Sequence, residues 1–229
     1  MTGYAAIIPC VSHGNVPQLA IDLMIYSLKM KKYATIWHKD VIPIIGSCAY
    51  DITDVGNLST ATELYVDNQN KLLLLQLRSP IINKKESDFI KQLSKYLSKL
   101  NLTDVTILSS SFSYENYNIE NLNMWYKSNK SEFYDNKLDS NWSQFFNEKI
   151  RGGGYAISLL KQLSDENIPS IILFKYVSEG DNRNDAKEYI KYMNSLHKIV
   201  DKLEDLKEPP SWKFLFGKEP TYLIDGQLY

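Results

Sequence analysis

The chain has 229 residues, 26 lysines and arginines against 27 aspartates and glutamates, and a formal charge of −1. That length supports one sizeable core and no Pro/Ser/Gly-rich linker divides it, so a single domain is expected over 1–217, followed by a tail over 218–229. The balanced charge offers no broad basic field for a phosphate backbone, and apolar runs such as Leu72 to Leu75 are far too short for a bilayer, so neither nucleic acid nor a membrane is an expected partner.

The apolar run Tyr4 to Val11 reads as a buried strand. Ser12-His13-Gly14-Asn15 then reads as a tight turn in which Gly14 relieves the backbone and Asn15 caps a helix that carries Pro17 in its first turn. That helix is predicted to run to about Met30 and to bury a stripe of Val16, Leu19, Ala20, Leu23 and Ser27. A second strand is expected at Tyr33 to Trp37. Pro43 keeps the following segment, Val41 to Ile45, off a central ladder position. Ala61 to Val66 and Lys71 to Arg78 form a predicted hairpin around Asp67-Asn68-Gln69-Asn70.

Lys84 to Leu100 has the period of an amphipathic helix, with Phe89, Ile90, Leu93, Tyr96, Leu97 and Leu100 on one stripe. A strand at Val105 to Leu108 follows and ends in Ser109-Ser110-Ser111. Residues 116–147 are rich in Asn, Tyr, Lys and Ser but hold too many aromatics for disorder; a long loop with a helix near Asp139 to Phe146 is expected. Helices at Tyr155 to Leu163 and Asp185 to Leu206 then flank a β-branched strand at Ser170 to Val177. Strands alternating with helices predict a three-layer α/β fold, a mostly parallel sheet with helices on both faces, plus the hairpin and the tail.

Three places bear residues that chemistry often uses. The first turn has only Gly14 where a dinucleotide fingerprint needs several glycines in register, and His13 has no visible partner. Gly152-Gly153-Gly154, beside Arg151, precedes a helix and can form an anion nest, yet no Lys-Ser or Lys-Thr follows at Walker spacing. The bland reading, a loop with unusual dihedrals, is favoured. Ser109, Ser110 and Ser111 sit at a strand end without a nucleophile elbow, so capping of strand-end amides is the better expectation. Glu179, Gly180 and Asp181 suit a turn leading into the next helix.

Cys10, Cys48, His13, His38 and His197 show no paired short spacing for zinc. A reduced protein with no metal is expected, although a Cys10–Cys48 disulfide stays open. With no signal-like opening segment, the expected location is the cytosol, with nuclear access. From the residues alone, a nucleoside- or phosphate-handling α/β enzyme using the first turn and the glycine triplet remains the alternative to a protein without catalysis. The aromatic group Trp212, Phe214 and Phe216 is more often core than interface, but its place just before the tail keeps a partner-facing role open.

Six blocks in order resemble the proteasome assembly chaperone family. They are Gly14 to Leu23; Leu75 to Ser79; Val105 to Tyr114; Ile150 to Gly154; Phe174 to Asn182; and Pro210 to Gly217. Residues 115–149 match none and are read as a family-variable insertion. The resemblance implies a non-enzymatic subunit with no cofactor, which forms a heterodimer with proteasome assembly chaperone 1 and binds the α-ring of the immature 20S proteasome. It also implies a docking role for Gln227, Leu228 and Tyr229, since members end in a hydrophobic residue, a tyrosine and one last residue that insert between adjacent α-subunits. This chain stops at the tyrosine.

Overall fold

The computed structural model describes residues 1–51, 53, 56–116 and 124–214. In chain order its elements are β1 (Ala5–Pro9), α1 (Val16–Ser27), β2 (Lys31–Thr35), β3 (Ile45–Ser47), β4 (Leu58–Thr60), β5 (Thr62–Asp67), β6 (Leu72–Leu77) and α2 (Glu86–Ser98). There follow β7 (Asp104–Phe112), β8 (Trp125–Ser128), α3 (Ser131–Tyr134), β9 (Ser143–Gln144), α4 (Ala156–Asp165), β10 (Ser170–Val177) and α5 (Arg183–Met193).

Among the described residues one sheet has the order β2-β5-β6-β1-β7-β10-β8-β9. Its centre, β6-β1-β7-β10, is parallel. Both flanks introduce antiparallel pairs: the hairpin brings β5 back against β6 and β2 against β5, while β8 folds back on β10. The α/β reading holds, with a mixed sheet around a parallel centre. Continuous apolar runs follow from cover on both faces. Along β1, Ala5 and Ile7 pack toward α1 and α5, while Ala6, Ile8 and Cys10 pack toward α2 and α4. Leu72 and Leu74 divide from Leu73 and Leu75 in the same way, as the period of two requires.

Several expectations need correction. Asn15 makes no side-chain cap; it sits at φ 52, after Gly14 at φ 69, so the turn into α1 is made by two successive left-handed residues. Pro17 does occupy the first turn. α1 ends at Ser27 because Lys29, at φ 49, lets Met30 N bond back to Ile25 O at 3.0 Å. Wedged between the sheet and α5, α1 buries Ile21, Met24 and Ile25 as well as its expected stripe, and Ser27 is only half-buried.

β7 continues through all three serines, because β10 pairs with it from Ser170↔Val105 to Val177↔Phe112. Residues 139–146 are not helical. Ser143 N bonds Met124 O at 2.9 Å and Phe145 N bonds Tyr126 O at 2.7 Å, so this stretch extends the sheet edge as β9. α5 stops at Met193, where the side-chain Oδ1 of Asn194 accepts from Ile199 N and Val200 N at 2.9 and 3.1 Å and turns the chain. The unexpected ribbon β3-β4 lies beyond Pro43.

Candidate functional site

Because β1, β7 and β10 are parallel, their carboxyl ends open on one edge of the sheet, where ligands of α/β proteins commonly bind. The first turn, the serine run, the glycine triplet and the 178–182 turn all converge there. The serine hydroxyls of this edge are taken up by its loops. Ser109 Oγ donates to Gly153 O and Ser111 Oγ to Arg151 O, each at 2.8 Å, and Ser110 Oγ donates to His13 O. Ser12 Oγ lies 2.7 Å from Ser110 Oγ and accepts from Ser110 N at 3.1 Å. His13 N donates to Gly152 O at 2.9 Å. The serines thus serve loop carbonyls rather than strand-end amides. Hydroxyls bound in this way are joints of the scaffold and do not stand as nucleophiles beside a base.

The glycines permit the closeness of this seam. A Cβ on Gly154, at φ +60, would lie 2.7 Å from Val11 O, and one on Gly14 would lie 2.6 Å from the Asn182 side-chain nitrogen. That nitrogen donates to Gly14 O at 3.2 Å, tying the β10 turn to the β1 turn. His13 packs its ring on Phe112, with centroids 4.1 Å apart. In the β10 turn, hydrogen bonds from the Arg183 side chain hold the Asp181 carboxyl below its usual range, and Arg183 N adds a bond at 3.1 Å. Glu179 and Gly180 are exposed. Arg151 points outward and meets Glu115 at 3.0 Å.

Beside the glycine loop lies an open cleft of about 420 Å³ whose lining includes Trp125, Phe145, Tyr176, Lys149 and Arg151. Among the described residues no group of three or more His, Cys, Asp and Glu is arranged to hold a metal ion. Cys10 and Cys48 are free thiols; burial pushes the Cys10 thiol well above its ordinary pKa.

Sequence reading missed a buried charge cluster behind the first turn. Asp22, inside α1, accepts from Arg78 Nη1 and Nη2 at 3.1 and 2.8 Å, from Gln76 Nε2 at 2.6 Å and from Tyr50 OH at 2.6 Å. Burial, with Asp22 beside it, drives the Tyr50 hydroxyl well above its ordinary pKa, so it donates as neutral phenol. The signal was there: an aspartate inside an otherwise apolar helix stretch, and Gln76 within a leucine strand, need a partner.

Trp212 is buried in the core on the α1 side, at 4% exposure, which withdraws it from a partner-facing role in this chain. The Phe214 side chain, Phe216, and the tail with Gln227, Leu228 and Tyr229 lie outside the described residues.

The model of the PAC2 family matches residues 6–209, and the chain belongs to that family. It is similar to proteasome assembly chaperone 2 of Homo sapiens, 32% identical over 246 residues that cover 95% of this chain and 93% of that protein. The Saccharomyces cerevisiae protein of the same name is 23% identical, covering 92% of this chain and 94% of its own. Among solved structures the fold is similar to Pyrococcus furiosus PbaA, described as an archaeal homolog of proteasome-assembly chaperone. The TM-score is 0.72 at 16% identity, covering 89% of this chain and 81% of that one. P. furiosus PbaB, described as an archaeal proteasome activator, gives 0.62 at 13% identity, covering 89% and 87%.

Proposed function

We propose that this chain is a non-enzymatic subunit of a proteasome assembly chaperone, that it pairs with proteasome assembly chaperone 1, and that the pair binds the α-ring of the 20S proteasome in the cytosol and nucleus. The observation that carries the reading is similarity to proteasome assembly chaperone 2 along almost the whole of both chains. The site agrees with it. At the edge where an α/β enzyme would place its reacting groups, the serines, the glycine loop and Asn182 bind one another. Leu228 and Tyr229 are assigned to docking between α-subunits, as a tethered contact that adds to the hold of the folded body.

The test is purification of the tagged chain from its native cells with identification of the bound chains. Chaperone 1 and 20S α-subunits in stoichiometric amount are the expected result. Their absence, together with nucleoside- or phosphate-ester turnover by the purified chain, would overturn the reading.

A further inference from the structure

At the β2 end of the sheet, chain segments that meet by hydrogen bonds leave large apolar side chains in solvent. Ile42 N bonds Pro80 O at 3.1 Å, Ile82 N bonds Asp40 O at 2.8 Å, and Lys32 Nζ reaches Leu58 O at 3.0 Å, which holds the 36–47 segment, the 80–82 turn and the β3-β4 ribbon together. Trp37 is 67% exposed and Ile45 65%, with Ile42, Ile44, Leu58 and Ile82 each at 40–47%. Six large apolar residues exposed along segments that bond to one another go beyond the singly scattered exposure that a monomer's surface normally shows.

Charge narrows the choice of occupant. Lys29, Lys31 and Lys39 are exposed here, Lys32 is taken up by the buried carboxylate of Glu63, and Asp40, the one acid between residues 29 and 49, is buried. Lys84 is exposed at the far rim, beside Ile82. A second copy of this chain would face the patch through a two-fold axis and set these lysines against themselves. A partner with an apolar patch rimmed by carboxylates meets both the apolar side chains and the charge.

We infer that this apolar end of the sheet, with its lysine rim, is the surface through which the chain meets proteasome assembly chaperone 1, and that the partner's matching surface is apolar with an acidic rim. The inference rests on the proposed function.

The full chain, unaltered or carrying Ile45→Asp, Trp37→Ser or Phe146→Asp, is titrated against purified chaperone 1. Each substituted side chain is largely exposed, Phe146 at 74% on the opposite edge of the sheet, so the fold should stand, and thermal melting checks it. Ile45→Asp and Trp37→Ser should weaken binding about tenfold or more while Phe146→Asp leaves it unchanged. Lys31→Glu with Lys39→Glu should slow association and flatten its salt dependence. Unaltered binding by the Ile45 and Trp37 variants contradicts this inference alone, as does loss only of self-association. Failure of the unaltered chain to bind chaperone 1 contradicts the function as well.

Discussion

Arg78 clamps Asp22 with both terminal guanidinium nitrogens, at 3.1 and 2.8 Å, and so joins the end of β6 to the middle of α1. Burial opposes the charge on Arg78, but the Asp22 carboxylate, by its charge and its hydrogen bonds, outweighs it and holds the guanidinium firmly protonated. Both side chains are mostly buried, at 18% and 8% exposure, so the pair is shielded from solvent screening.

Asp22→Ala should therefore destabilise the chain by about 3–5 kcal/mol, because it strands the Arg78 charge, while Asp22→Leu combined with Arg78→Met should lose much less than the sum of the two changes. Urea midpoints for the single and double variants measure this. Additive losses would mean that the two groups do not act as a pair.

Gly154→Ala places a methyl against Val11 O at a left-handed backbone position. A loss of about 2–4 kcal/mol is expected, combining left-handed strain with overpacking. Gly46, with open space where its Cβ would stand, is the control, and its Ala variant should stay near wild type. Equal midpoints for the two variants would show that the glycine loop is not wedged against β1.

Stability should fall as the medium is acidified through the histidine range. Burial pushes the His197 imidazole below its ordinary pKa, against the pull of Asp104 at 3.5 Å and with the help of Lys137, and Thr106 Oγ1 lies 2.9 Å from Nε2. Below about pH 6.5 the unfolded chain binds a proton that the folded chain refuses, so unfolding gains. The loss grows until the pH passes the lower folded pKa and then levels. Denaturation curves from pH 7.5 to 5 should slope less steeply in His197→Gln; an unchanged slope would locate the acid sensitivity elsewhere.

Deleting Leu228 and Tyr229 should weaken α-ring binding by roughly 10- to 100-fold and leave pairing with chaperone 1 intact, because a tethered weak contact acts through its effective concentration. Side-by-side ring titrations of full-length and truncated heterodimers decide it. Equal affinities would remove the tail from the account.

Elements set by local pattern were legible in the chain. The hairpin around residues 67–70, the amphipathic α2 and the apolar β10 lie close to where periodicity puts them. What was hidden depends on distant partners. β7 is longer than its apolar run because β10 supplies a ladder for the serines, and α5 is shorter because Asn194 folds over the chain behind it. Residues 139–146 carry a helix-like spacing of aromatics, yet β8, paired on the edge of β10, takes Ser143 and Gln144 as strand, with Trp125, Phe145 and Phe174 packing on one another. At the loop cluster the residue types were readable as structural, but which hydroxyl serves which carbonyl depends on strand register. The Asp22–Arg78 pair, separated by 56 residues, had only its two misplaced polar side chains to announce it.

Sedimentation of the chain mixed with chaperone 1 and assembled 20S α-ring decides whether it works as one half of a pair. A 1:1 heterodimer that moves onto the ring as a unit is expected. A chain that stays monomeric at micromolar concentration in the presence of both, folded by its thermal melt, would contradict it.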